Sequence, residues 1–313
     1  MKLIRFSSLA GMALALAAQS FASVSYFKTV YGTDWTSVGI GGMRGVGSNT
    51  LSLSGVSGTV TGAYLFWHGP TNSADPLANA NVTFNSHAVT GVNIGISQDN
   101  NWGFQNSQAY RADVSSWVTG NGSYSLSDFK KSSVEINGAS LYVTFNDGIS
   151  SNNRDLVLFN GNDSNIGSAF DTTGWDVALN GINYSTGAAN IQLTVSDGQK
   201  FGNDEAVYLN GNILVPVGPN WQGDLGAQIV GNGSLWDEKS FAVTSFLTPG
   251  MNNLHLQTFA PLTDALSLVV GAIDLPSGSA PPVTGAVPEP STYGLIGAVA
   301  LLAGVAVRRR LRK

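Results

Sequence analysis

The stretch Asn137-Gly138-Ala139-Ser140-Leu141-Tyr142-Val143-Thr144-Phe145-Asn146-Asp147-Gly148 sets the fold class. Leu141, Val143 and Phe145 alternate with Ser140, Tyr142 and Thr144, which is the two-residue period of a strand. Asn-Gly on one side and Asn-Asp-Gly on the other supply the positive φ that tight turns demand. The same grammar recurs along the chain. Ile191, Leu193 and Val195 alternate with Gln192 and Thr194, and Asn160-Gly161, Asn180-Gly181, Asp197-Gly198 and Asn210-Gly211 read as further hairpin corners. With 38 glycines in 313 residues and no internal segment of helical period, the chain between its termini is expected to be all-β.

Three blocks of sequence occur twice. Asn81-Val82-Thr83-Phe84-Asn85 has a counterpart in Ala206-Val207-Tyr208-Leu209-Asn210. The run from Ala109 to Leu126 matches Ser240 to Leu256, and Ala139–Phe145 matches Ala265–Ala272. The nearly constant offset points to an internal duplication, with two tandem antiparallel β-sandwich (jelly-roll-like) domains at 23–150 and 151–275. A Pro/Ser/Gly linker is expected at 276–286. Cysteine is absent, so each domain must be held by apolar packing without disulfides.

The two ends differ from the body. Lys2 and Arg5, the apolar run Leu9–Ala18 and the small-x-small Ser20-Phe21-Ala22 make residues 1–22 a signal peptide, helical and cleaved before Ser23. Residues 287–313 join Val287-Pro288-Glu289-Pro290-Ser291 to an uncharged apolar run, Tyr293–Val307, and then to Arg308, Arg309 and Arg310. A helix of about 15 residues spans ~22 Å, short of the ~30 Å hydrocarbon core, so its arginines must snorkel. The basic stop keeps that end cytoplasmic and everything before Val287 outside.

This tail closely resembles the PEP-CTERM sorting signal of Gram-negative bacteria. The resemblance implies recognition by an exosortase, a membrane transpeptidase, with cleavage near Pro288-Glu289-Pro290. It also implies a membrane-anchored precursor, then release or attachment at the cell surface or in an exopolysaccharide-rich biofilm matrix. A second resemblance lies in the body. Asp204–Gly211, Ser240–Thr244 and Gly250–Leu256 look like the galactose-binding-like jelly roll, a fold that by itself implies no activity.

Between the two terminal segments lie 8 basic and 19 acidic residues. Such a body offers no basic patch for phosphates, so nucleic acid is not an expected partner. Only 11% of all residues are charged, and Asn, Ser, Thr and Gly are expected to fill the surface.

Catalytic chemistry finds little purchase. The three histidines, His68, His87 and His255, read as packing or surface residues, and no Gly-x-Ser-x-Gly elbow occurs. Gly39–Gly45 reads as a loop or bulged strand, since neither a helix nor a Lys-Ser/Thr pair follows to make a phosphate loop. Asp197, Asn203, Asp204 and Glu205 are candidate Ca²⁺ ligands by oxygen chemistry, without the spacing of a known calcium loop. Trp102 and Trp221 occupy comparable loop positions in the two repeats and are candidate stacking platforms for a glycan. The expectation is an exported, non-catalytic structural or adhesive body that needs no cofactor. A carbohydrate-binding module is the alternative, and a secreted hydrolase stands behind it.

Overall fold

In the computed structural model, residues 23–97, 103–132, 134–167, 170, 172–226, 232–259 and 264–282 are described. The expected signal peptide (1–22), the tail (287–313) and Trp102 lie outside them. Among the described residues the structure is all-β and antiparallel, and no helix is long and apolar enough to cross a membrane.

The first half runs β1 (Val24–Ile40), β2 (Asn49–Leu53), β3 (Thr59–Thr71), β4 (Asn81–Phe84), β5 (His87–Thr90), β6 (Val92–Ser97), β7 (Asn106–Asp113), β8 (Gly122–Ser127) and β9 (Gly138–Asn146). The second runs β10 (Arg154–Ser164), β11 (Asp176–Tyr184), β12 (Asn190–Ser196), β13 (Val207–Leu209), β14 (Asn212–Val215), β15 (Trp236–Ala242), β16 (Gly250–Gln257) and β17 (Ser267–Pro276). Four-stranded outer sheets form in the orders β2-β8-β4-β5 and β11-β16-β13-β14. These orders are superimposable, and the repeated sequence blocks fall on equivalent strands. A short 3-10 turn follows β7 at Ser115–Trp117 and β15 at Thr244–Phe246, entered from Val114 and Val243 with almost equal backbone angles.

The inner strands of both halves form one sheet, β15-β12-β17-β10-β1-β9-β3-β7-β6. β1 makes it continuous. Its N-terminal part pairs with β10 and its C-terminal part with β9, and a register shift between Val30 and Thr33 marks the change of partner. Gly32 sits in that kink at φ 56°, where a side chain would be strained. Residues 20–282 accordingly form a single compact unit.

Side-chain alternation divides the interior into three cores. Leu65, Trp67, Leu141 and Val143 face the outer sheet of the first half. Val157, Phe159, Ile191 and Leu193 face that of the second. The residues between them in sequence, Tyr64, Phe66, Tyr142, Leu156 and Leu158, join Trp236, Val270 and Ala272 in a third cluster, where the halves meet. Strands such as β3 and β9 are therefore buried on both faces.

Two expectations need correction. Of the Asn/Asp-Gly pairs, Asn210-Gly211 is a tight hairpin corner, with φ 50° and 75° between β13 and β14. Asn180-Gly181 and Asn160-Gly161 instead lie within β11 and β10 at register shifts: the positive φ of Gly181 (79°) also suits a β-bulge, while Gly161 admits a close backbone approach, a Cβ there standing 2.0 Å from Ser23 O. The expected linker is not free at its start. Asp155 is buried and accepts from Gly32 N (3.0 Å), Gly278 N (2.8 Å) and Ala280 N (3.0 Å), while Asn183 N donates to Ser279 O at 2.9 Å. Asp155→Ala strands three backbone donors at once. Hydrogen bonds to a charged group contribute ~1.5–3 kcal/mol each, so we expect loss of several kcal/mol at most and early proteolysis within 276–282. Unchanged cleavage kinetics on limited proteolysis would remove Asp155 as the clamp.

Candidate functional site

The densest polar chemistry lies where the halves meet. Tyr142 Oη and Thr194 Oγ1 are 2.6 Å apart, and Gln192 Nε2 donates to Tyr142 Oη at 3.1 Å and to Ser37 Oγ at 2.7 Å. Trp236 Nε1 donates to Ser140 Oγ at 2.9 Å. Farther along, Asn162 Nδ2 donates to Ser107 Oγ at 3.0 Å, and Arg111 lies 3.7 Å over the Phe27 ring while donating to Asn160 Oδ1 at 2.6 Å. Ser107, Ser140, Tyr142, Asn162 and Thr194 are buried here because each half covers a polar face of the other.

At one end four loops converge. Gly41 N donates to Leu225 O at 2.7 Å and Gly42 N to Ser234 O at 2.6 Å. A Cβ on Gly41 would stand 2.3 Å from Ser234 O, so only glycine permits this approach. The Gly39–Gly45 run is thus a strand end followed by a loop that closes the halves together. Beside it, His68 Nδ1 and Ser196 Oγ are 2.7 Å apart. Asn137 Nδ2 donates to Ser196 Oγ (3.0 Å) and to Asp197 Oδ1 (3.2 Å), and Arg44 binds both Asn137 Oδ1 (2.7 Å) and Asp197 Oδ1 (3.0 Å). The His68–Ser196 spacing is that of a base and a nucleophile. Both side chains are fully buried, however, and no substrate carbonyl reaches them.

The candidate Ca²⁺ ligands do not come together. Asp197 is engaged by Arg44 and Asn137, and Asn203 is exposed. Asp204 Oδ2 accepts from the backbone N–H of Asn220 and Trp221, both at 2.7 Å, and burial still pushes its carboxyl above the usual range. Glu205 is buried near Asp204 and Asp264. Among the described residues no group of three or more His, Cys, Asp or Glu is placed to hold a metal.

Trp221 is likewise corrected from a glycan platform to a core residue. It is 1% exposed, edge-on to Trp175 and Phe241, with Lys239 near its ring. Its placement after Pro-Asn suggested a loop tip, but the two backbone bonds to Asp204 fold that loop inward.

Sequence reasoning missed three buried carboxyls. Burial pushes Asp237 up to about 6, against the backbone N–H groups of Asp224 and Gly223, which lower it. Burial raises Glu238 to about 7, with Ser140 and Ser37 opposing. Burial first, and then the charge of Asp204, bring Asp264 to about 7. Asp237 is buried, and Glu238, next to it in β15 on the opposite face, is half-buried with an enclosed carboxyl, so the strand is covered on two sides.

The family model of the PEP-CTERM protein-sorting motif matches residues 286–310. The chain carries a PEP-CTERM sorting motif. PEP-CTERM implies an exported, membrane-anchored precursor of a Gram-negative bacterium, processed by an exosortase. The match covers Pro288, Glu289 and Pro290, expected as the recognition motif, and reaches Arg308, Arg309 and Arg310 of the basic stop. No curated protein matches the chain. Among solved structures, a peptide-N(4)-(N-acetyl-β-D-glucosaminyl) asparagine amidase is 8% identical over 79% of this chain and 98% of its own, with a TM-score of 0.24. PNGase F, a glycosylasparaginase from Flavobacterium meningosepticum, is 10% identical over 82% and 99%, also at 0.24. Values this low carry neither activity nor architecture across. The galactose-binding-like resemblance gains no support from these comparisons.

Proposed function

We propose that this is an exosortase-sorted protein of the cell surface or extracellular matrix, whose β-body serves as a structural or adhesive module without catalysis. The PEP-CTERM motif at 286–310 carries the reading. The body supports it: the one Ser–His pair described above is sealed between the halves, and its polar neighbours bind one another.

Replacing Pro288, Glu289 and Pro290 together by alanine is expected to leave the body folded while the precursor accumulates at full mass in the membrane fraction. Normal release of the mature form from that variant, read by intact mass of the secreted protein, would refute the sorting role.

A further inference from the structure

The two copies of the fold differ on one face. In the second half, the row that crosses the outer sheet is Asp176, Gln257, Tyr208 and Ile213, each paired with the next. All four point away from the core, since Val177, Leu256 and Leu209 point inward. The equivalent row of the first half is Ser127, Thr83 and Ala88, small and without an aromatic ring. Two residues beyond the row the contrast sharpens. Phe129 is fully buried and edge-on to Trp67, whereas its counterpart Phe259 is 62% exposed, its ring centroid 4.9 Å from that of Tyr208. One copy keeps its phenylalanine for packing, and the other presents it to solvent. Core stability gives no reason for the second arrangement.

Beside Phe259 runs a groove of about 260 Å³, lined by Asn165, Thr173, Gly174, Asp176, Gln257 and Thr258. Gly174 lets its wall pack closely: a Cβ there would stand 2.4 Å from Thr258 Oγ1. Among the described residues the buried Nε1–H of Trp175 finds no hydrogen-bond partner. At the rim, Asp176 Oδ1 takes a 2.9 Å bond from His255 Nε2.

These features select a ligand class. Side-chain amides, hydroxyls and a carboxylate supply donors and acceptors suited to hydroxyl groups, and the adjacent ring pair supplies an apolar platform. No Lys or Arg lines the groove, and the body around it is acidic, which opposes a polyanion.

We propose that this face binds a neutral saccharide chain, one sugar ring against Phe259 and Tyr208 and its hydroxyl groups on Asp176 and Gln257. This deepens the adhesive reading given above and rests on it. The site is shallow and open, so affinity accrues over several sugar units and favours polymers over monosaccharides.

The test uses full-length protein in detergent, titrated with dextran, cellohexaose, a mixed-linkage glucan and, as the polyanion, alginate. Binding to at least one neutral glycan is expected, weakened at least tenfold by Phe259→Ala and by Tyr208→Ala. His87→Ala, on the outer sheet of the first half, is expected to leave binding unchanged. Circular dichroism on each variant separates lost contacts from lost fold. Absence of binding to every neutral glycan, or binding that Phe259→Ala leaves intact, overturns the proposal. So does preference for alginate, or self-association that Phe259→Ala abolishes in place of glycan binding. Exosortase processing of the same variants is read in parallel. Normal processing without glycan binding sinks this site and leaves the sorting role standing.

Discussion

Trp236→Ala is expected to destabilise the body by about 3–5 kcal/mol and to shift a single unfolding transition of both halves together. Trp236 is fully buried in the cluster where the halves meet. Its Nε1–H satisfies Ser140 of the first half, and its ring lies where a Cβ on Gly138 would come within 2.6 Å. Truncation opens a cavity at the seam, and the rigid strand backbone at Gly138 leaves little room for collapse. It also deprives a buried hydroxyl of its donor, an added cost of ~1 kcal/mol or more. Against the 5–15 kcal/mol that a domain usually holds, the loss is a large fraction. One transition is expected because β1 belongs to the sheet of both halves, so neither can unfold and leave the other its edge. Calorimetry showing two transitions, only one displaced by Trp236→Ala, would mean that the halves are thermodynamically separate.

Much of this architecture was legible in residue order. The alternation of Leu141, Val143 and Phe145 gives β9, and the repeated blocks fall on strands that occupy equivalent places in the two halves. The second face of β9 was not legible. Ser140, Tyr142 and Thr144 look like a solvent face by polarity, yet they are buried, because their hydroxyls pair with partners 50 to 100 residues away. Alternation reports that a strand has two different faces; it does not report what covers the polar one. The same limit explains Asn180-Gly181, whose positive φ serves a bulge as readily as a corner. It explains Trp221 as well, where the decisive partner, Asp204, is remote in sequence. For the candidate site the tryptophans named from sequence, Trp102 and Trp221, did not mark the exposed ring pair. Thr83 stands where the second half has Tyr208, but the block differs at other positions too, and only the aligned outer sheets show that this difference exposes a ring pair.

The body is expected to lose stability as pH rises from 5 to 8, the reverse of the common acid-labile pattern. Asp237, Glu238 and Asp264 have carboxyls raised by burial to about 6, about 7 and about 7. Glu238 is part-exposed along its stem, but its carboxyl end is enclosed. Oε1 is buried without a partner, and Oε2 takes a 3.0 Å bond from Ser37. Each group binds its proton more tightly in the folded chain than in the unfolded one, where it titrates near 4. Their stabilising contribution is fully present below about pH 4 and is lost as pH rises through 6 to 7. At ~1.4 kcal/mol per unit, each group is worth on the order of a few kcal/mol across that window. Self-repulsion of the acidic body adds in the same direction. Exposed Asp147, held below the usual carboxylate range first by Asn152, works against it only in stronger acid. Glu238→Gln and Asp264→Asn should therefore each raise Tm at pH 8 and flatten its slope between pH 5 and 8, with little change at pH 5. A Tm that climbs from pH 5 to 8 in the unaltered protein would show that these carboxyls are solvated, and that the seam between the halves admits water.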